Sequence, residues 1–335
     1  MRYLININEQ KAKELLGRVY VDANTTLAQD IVITKSHNLS FDKIEFCSLD
    51  INEQEKKILI ANGYTLSSDE KKKCTLLAGD YIKRQSNTRK LELLNVTGRD
   101  VKIGDLDTGR NDVLGLSFSN NFNFADANPG VLDNFNHGTM VTSVIKSLVG
   151  SHKGVVNDVD FYTIKVVDDA GGITITSFAA GVNQAITSGL DCLVMPLQFD
   201  DATVQSLINS LLDNNCIPFC SAGNASGGSV STVVSPASKI NAVAVGAVKE
   251  DNTYHYTNLL GVTFVCGGYG QNVVNNAGGV QLAYGTSFSA PTAAGIFAGH
   301  KEISGLSDNK KVVQKMKNSC KKHEPSLFGY GILQA

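Results

Sequence analysis

Apolar positions from Val101 to Asn318 fall into two alternating patterns. Val101-Lys102-Ile103-Gly104-Asp105-Leu106-Asp107 is a short strand-like run halted by Thr108-Gly109. His137 to Val149 predicts a helix, because Val141, Val144, Ile145 and Leu148 recur at helical spacing and Gly150 ends the run. Phe161 to Val167 is rich in β-branched residues and predicts a strand. Thr174 to Ser188 predicts a helix, with Phe178, Val182 and Ile186 on one face. The series then repeats: strand Cys192 to Leu197, helix Val204 to Leu212, strands Ile217 to Ser221 and Ala242 to Val248, helices Ser287 to Gly299 and Asn309 to Asn318. Short apolar strands alternating with amphipathic helices predict an α/β fold, a mostly parallel central sheet with helices on both faces. Active sites in such sheets lie beyond the carboxyl ends of the strands, and Asp107 closes its strand.

Residues 1–76 break the pattern. They are charge-rich, with a strand-like run Asp30-Ile31-Val32-Ile33-Thr34 and a helical stretch near Asn52 to Asn62, enough for a small N-terminal α+β module. Residues 77–335 then form the main domain, with polar, basic Lys71 to Lys90 as a linker or surface strand.

Composition narrows the choice of partners. With 30 Lys and Arg against 32 Asp and Glu the net charge is −2, which gives no footprint for nucleic acid or an anionic membrane. Lys71-Lys72-Lys73 and Lys321-Lys322 read as solvated surface. No run approaches the ~20 apolar residues needed to cross a bilayer. The opening Met1-Arg2-Tyr3-Leu4-Ile5-Asn6 meets polar residues too soon for a signal-peptide core, which points to synthesis in the cytoplasm. The seven cysteines are odd in number and lack CxxC spacing, so free thiols are expected and no metal site.

Three segments carry chemistry. In Tyr284-Gly285-Thr286-Ser287-Phe288-Ser289-Ala290-Pro291, a serine sits where a loop enters a helix, at the positive end of its dipole, with Pro291 expected in the first turn. Asn136-His137-Gly138-Thr139-Met140-Val141 mounts an imidazole at the start of an apolar helix, a rigid base. Leu106-Asp107-Thr108-Gly109 supplies a carboxylate able to orient that imidazole. A fourth segment, Ser221-Ala222-Gly223-Asn224, presents an amide in a Gly/Ser-rich stretch. Alone, each is an ordinary loop, cap or turn. His37, His152, His255, His300 and His323 match nothing and are expected at the surface.

Together these segments resemble the subtilisin-like serine proteases. Gly285, Thr286, Ser287, Ser289 and Pro291 match the family's serine signature; His137, Gly138, Thr139 and Val141 match its histidine signature; and the order Asp, His, Ser is the family's. The likeness runs from about Leu91 onward and closes on Gly329-Tyr330-Gly331, similar to the family's lead-in to its last helix. It implies a serine endopeptidase acting on polypeptides without a cofactor. Ser287 would be nucleophile, His137 base, Asp107 orienting carboxylate and Asn224 oxyanion donor. It further implies that Asp169-Ala170-Gly171-Gly172-Ile173 and Met195-Pro196-Leu197-Gln198-Phe199 flank an extended substrate, contacted by Gly171, Gly172, Ile173, Leu197, Gln198, Ala222 and Gly223.

The departures are informative. Asp105 stands where the family has an aliphatic residue and shares a strand face with Asp107. A hydrogen bond to a neighbouring strand or loop is the simpler expectation for it, an added carboxylate at the triad the sharper one. Pro196, Gln198 and Phe199 replace a Ser-Leu-Gly-Gly-like run and are expected to narrow the pocket before the scissile bond. Leu148 to Val156 is shorter than the family's calcium loop, so no calcium is expected there. Residues 1–76 have the length and position of an inhibitory propeptide, with cleavage expected near Leu76 to Asp80. The retained module fits a zymogen, a permanent domain or a catalytically silent part of a larger assembly such as a virus particle. Two rivals fail: no second Asp-Thr/Ser-Gly triplet exists for an aspartic protease, and Ser289 stands where Gly-x-Ser-x-Gly needs glycine.

Overall fold

The computed structural model describes residues 2–5, 47–50, 53–61, 66–68, 85–225, 231–254, 257–322 and 328–335. The chain divides into two compact units, Met1–Thr75 and Leu76–Ala335. In the first, β1 (Arg2–Ile5) lies antiparallel between β2 (Cys47–Asp50) and β3 (Leu66–Ser68), and α1 (Glu53–Ala61) buries Leu59. The expected strand Asp30 to Thr34, the expected cleavage region Leu76 to Asp80 and most of Lys71 to Lys90 lie outside the described residues.

The second unit is built on a seven-stranded parallel sheet. Its strands are β4 (Lys102–Asp107), β5 (Asn120–Asn123), β8 (Asp160–Lys165), β9 (Cys192–Met195), β10 (Ile217–Ser221), β11 (Val243–Val248) and β12 (Phe264–Gly267), in the order β12-β11-β10-β9-β4-β8-β5. The period-two alternation of side chains divides it into two cores. Ile103, Phe161, Val194, Phe219, Val245 and Phe264 face a layer built from Ala290, Ala293, Ala294 and Phe297. Leu106, Ile164, Leu193, Met195, Cys220 and Ala244 face Phe178, Val182, Ile208 and Leu211.

The first layer comes from α6 (Thr286–Ser304), whose small residues let a 19-residue helix lie against the sheet. The second comes from α4 (Ile175–Thr187) and α5 (Val204–Asp213). Helix α4 opens with a reciprocal cap in which Ser177 N donates to Thr174 Oγ1 at 3.1 Å and Thr174 N donates to Ser177 Oγ at 3.2 Å. The remaining helices are α2 (Arg89–Leu93), α3 (His137–Ile145) and α7 (Asn309–Ser319).

Several expectations are corrected. Helix α3 stops at Ile145 instead of Val149, because Lys146 turns extended (φ −137°, ψ 101°). Beyond it Leu148–Val149 (β6) pairs antiparallel with His152–Lys153 (β7). A hairpin of β13 (Tyr269–Val274) and β14 (Val280–Tyr284) was not foreseen; most β14 side chains are exposed, so the run lacks a core-facing signal. Pro291 lies in the second turn of α6, since the helix already begins at Thr286, and its absent N–H leaves the Ser287 carbonyl without the usual i+4 donor. Past Gly331 the chain forms isolated bridges of Ile332 with Val265 and Lys321 rather than a helix.

Cys192, Cys216, Cys220 and Cys266 are buried free thiols, and Cys320 is a half-buried one whose thiol is pushed up to about 12 by burial. His152 and His300 are half-buried rather than at the surface, and the Nε2 of each contacts a carbonyl, that of Ser143 at 3.0 Å and that of Gln334 at 3.1 Å respectively. No helix among the described residues is long and apolar enough to cross a membrane.

Candidate active site

Asp107 ends the interior strand β4, and its side chain is 3% exposed. His137 opens α3, and its Nδ1 lies 2.8 Å from both Asp107 carboxylate oxygens. Asp107 Oδ1 also accepts from Thr108 N at 2.6 Å. The imidazole is 24% exposed, so one edge is held by a buried carboxylate while the ring stays partly open to solvent.

The start of α3 is fixed by residues that the sequence motifs did not single out. Asp133 accepts from Thr108 Oγ1 (2.9 Å), Asn136 N (2.8 Å), Thr139 N (2.8 Å) and Thr139 Oγ1 (2.7 Å). Thr108 Oγ1 in turn accepts from Gly138 N at 2.9 Å. The orphan N–H groups of the first turn are thus satisfied by a buried acid and hydroxyl, while Asn136 itself sits left-handed (φ 75°). An aspartate just ahead of an apolar helix is a capping signal and marked Asp133 in principle. Gly138 is required at its position, since a side chain there would collide with the Gly109 carbonyl.

Burial of the imidazole works against its charged form. The Asp107 charge, the Asp107 hydrogen bond and the more remote Asp133 outweigh that penalty, and the pKa of His137 is raised above 6.5.

Ser287 is the second residue of α6 and is half-buried. Its hydroxyl donates to the Pro196 carbonyl at 3.2 Å, and among the described residues no hydrogen bond joins it to His137. The two segments are nonetheless neighbours, for the His137 ring lies 6.1 Å from the ring of Phe288. Asn224 follows β10, and its Oδ1 accepts from Thr286 N (2.8 Å) and Thr286 Oγ1 (2.9 Å). With the oxygen committed, the group this amide has to offer is its Nδ2 donor. Gly285 (φ 125°) brings the backbone against that amide, where a β-carbon would lie 3.1 Å from Asn224 Oδ1.

Around this centre, Gly172 N donates to Asp168 Oδ1 (2.7 Å) and its carbonyl accepts from Asp168 N (2.9 Å). Both backbone groups of Gly172 therefore belong to the turn enclosed by the Val167–Ile173 bridge. Gly171 is exposed beneath Phe135, whose Cε2 lies 3.0 Å from where a β-carbon would stand. Phe135 is 49% and Leu132 52% exposed, an apolar lip that no motif indicated. Ala222 and Gly223 are buried, Leu197 is half-buried and Gln198 exposed. Phe199 packs on Phe178 at 5.2 Å within the core, so of the replaced residues Gln198 is the exposed one.

Asp105 is bonded to a helix rather than to a strand or loop: Thr142 Oγ1 of α3 donates to its Oδ2 at 3.2 Å. Lys165, also buried, ties the site's rim together by donating to the carbonyls of Thr108 and Leu132 (2.5 and 3.1 Å) and to Asp169 Oδ1 (2.7 Å). No group of three or more His, Cys, Asp or Glu side chains among the described residues could hold a metal ion.

A family model described as the subtilase family matches residues 75–331, more than half of the chain. The chain belongs to the subtilase family. It is a subtilisin-like serine protease, and its substrates are polypeptides. An alkaline protease of Alkalihalobacillus alcalophilus is 27% identical over 349 aligned positions, covering 100% of this chain and 90% of the relative. Alkaline elastase YaB of a Bacillus species (strain YaB) is 25% identical over 345 positions, with the same coverage. Subtilisin Savinase of Lederbergia lenta is 28% identical over 247 positions, covering 72% of this chain and 91% of the relative.

Proposed function

We propose that this subtilase cleaves peptide bonds with Ser287 as nucleophile, His137 as general base, Asp107 as the carboxylate that orients it, and Asn224 as oxyanion donor. The observation that carries the proposal is the Asp107–His137 pair: Nδ1 is held at 2.8 Å by a buried carboxylate, which fixes the tautomer with a free Nε2. Ser287 leaves the Pro196 carbonyl and gives its proton to His137 as its oxygen attacks the substrate carbonyl. Asn224 Nδ2 and the Ser287 backbone N–H receive the developing oxyanion. His137 then protonates the leaving amine, and water repeats the sequence on the acyl-enzyme. The vacated Pro196 carbonyl becomes an acceptor for a substrate N–H. Gly171, Ile173, Leu197, Gln198, Ala222 and Gly223 line the extended chain, with Gly172 shaping the turn beside it. Phe135 and Leu132 favour an apolar side chain on that rim.

We read residues 1–76 as a module that assists folding and inhibits the enzyme until it is removed; their position ahead of the family-matched residues 75–331 supports this. A second reading, a resting or silent member of a larger assembly, is favoured by one observation: the Ser287 hydroxyl points to Pro196 rather than to His137. A fluorophosphonate probe separates the two. Wild type is expected to label at Ser287 and Ser287→Ala not at all; absence of labelling in folded wild type favours the silent form. Mass spectrometry of the same pair tests the module, since self-processing requires a cut that vanishes in Ser287→Ala.

A further inference from the structure

Asp105 has no part in the chemistry above, yet it lies one side chain away from it along the same strand face. It is 1% exposed, and Ile103 on that face belongs to the apolar layer beneath α6. Its sheet partners are Thr163 on β8 and Val194 on β9. Thr142, on the helix that carries His137, reaches one oxygen at 3.2 Å; the other oxygen, Oδ1, has no hydrogen-bond partner among the described residues. A carboxylate in such a place would leave a charged, desolvated atom unpaired, a penalty that proteins avoid by keeping the proton.

The charged groups around it sharpen the point. Asp107 lies on its own strand, and Asp133 and His137 stand at the entry to α3. Arg110, which bonds the sheet partner Thr163 at 3.3 Å, pairs with Asp112, and Lys165 on β8 pairs with Asp169. No cation among the described residues is bonded to Asp105.

We propose that Asp105 is a positioning residue of the His137–Asp107 pair that works as a neutral acid, joining strand β4 to helix α3 through Thr142 without setting a second charge behind Asp107. The proposal rests on the triad assignment for its catalytic consequence but not for its protonation. Burial, first, and the charge on Asp107, second, push its carboxyl well above the ordinary range, with the Thr142 hydrogen bond opposing them. While protonated, Asp105 adds no charge behind Asp107 and still accepts at Oδ2 from the Thr142 hydroxyl. Once ionised it sets two carboxylates on one strand face, and their repulsion strains the seat of Asp107 and the start of α3.

The test is the pH dependence of fluorophosphonate labelling in wild type and Asp105→Asn, with an infrared titration of wild type. Wild-type labelling should rise as His137 loses its proton and then fall at higher pH, by ~10-fold for each unit beyond the Asp105 transition. Asp105→Asn, which keeps the shape of the neutral acid, should lose the upper fall and label on a plateau. The infrared spectrum should show a protonated carboxyl carbonyl band that persists above the usual carboxylate range and disappears with the upper fall. An upper fall at the same pH in both proteins overturns the positioning role, and so does a uniform slowing of Asp105→Asn with an unchanged profile. Absence of that infrared band overturns the neutral acid even if the variant does not fold. No labelling at any pH, with the band present, sinks the triad assignment instead.

Discussion

The two halves of the candidate site are held in unlike ways. On the His137 side, Asp133 alone accepts four hydrogen bonds, and Thr108 and Asn111 add further ones that weld the end of β4 to the start of α3. On the Ser287 side, among the described residues, the hydroxyl makes one 3.2 Å bond, Asn224 is exposed and held through its oxygen, and Gly223 and Gly285 supply the backbone bends. The proposed base, His137, is built into a buried polar network, where each lost bond leaves another group unsatisfied. On the proposed assignment Ser287 and Asn224 are left with donors for a substrate to engage. Rigidity is placed where orientation matters, and free valence where a reacting carbonyl must be met.

Breaking the open half should cost rate and little stability. Asn224→Ala is expected to lower kcat by about 10²–10³, a magnitude taken from subtilisin itself, with KM little changed. Steady-state hydrolysis of a peptide substrate reads this, and an unaltered kcat would remove Asn224 from the oxyanion site. Breaking the welded half should cost stability. Asp133→Ala orphans buried donors from Thr108, Asn136 and Thr139, and a loss of roughly 3 kcal/mol or more is expected in denaturant unfolding. A change below about 0.5 kcal/mol would mean the network is not what holds the helix.

Smaller effects come from titration. A carboxyl whose pKa is raised on folding binds its proton more tightly in the fold, so its contribution is lost as pH rises from the unfolded value of about 3.9 towards the folded one. Asp105→Asn should therefore gain thermal stability over wild type with rising pH, by at most about 1.4 kcal/mol per unit, and gain nothing in acid. For His137 the sign is opposite in charge but the same in pH. Its pKa is raised, so the stability from the imidazolium is present in acid and lost as pH rises through the folded value. Since the base must be neutral, the acid limb of kcat/KM should fall above 6.5, and Asp107→Asn should move the limb downward while lowering the rate. An acid limb that stays put in Asp107→Asn would show that the carboxylate does not set the base.

Much was legible in the residues. Alternating runs such as Phe161 to Val167 and Thr174 to Ser188 specified strand and helix, because their side chains must bury with period two or 3.6. Local motifs marked Asp107, His137, Ser287 and Asn224, because a strand end, a helix start and a glycine-rich turn are short-range events. What stayed hidden was whatever depended on distant partners. The lip of Phe135 over Gly171 and the bond from Thr108 to Asp133 join residues far apart in the chain, while most side chains of β14 face solvent and so left the β13–β14 hairpin without a core-facing signal.

The sequence by itself determined the α/β alternation, the strand face shared by Asp105 and Asp107, and which residue types could do the chemistry, since each follows from backbone geometry over a few residues. Only the tertiary structure decided that Asp107 meets His137 at 2.8 Å, that the Ser287 hydroxyl rests on Pro196, and that Asp105 is buried against Thr142 with one oxygen unpaired. Those are differences between competing hydrogen bonds and desolvation penalties, and such terms acquire values once packing has fixed which groups are within reach and which are cut off from water.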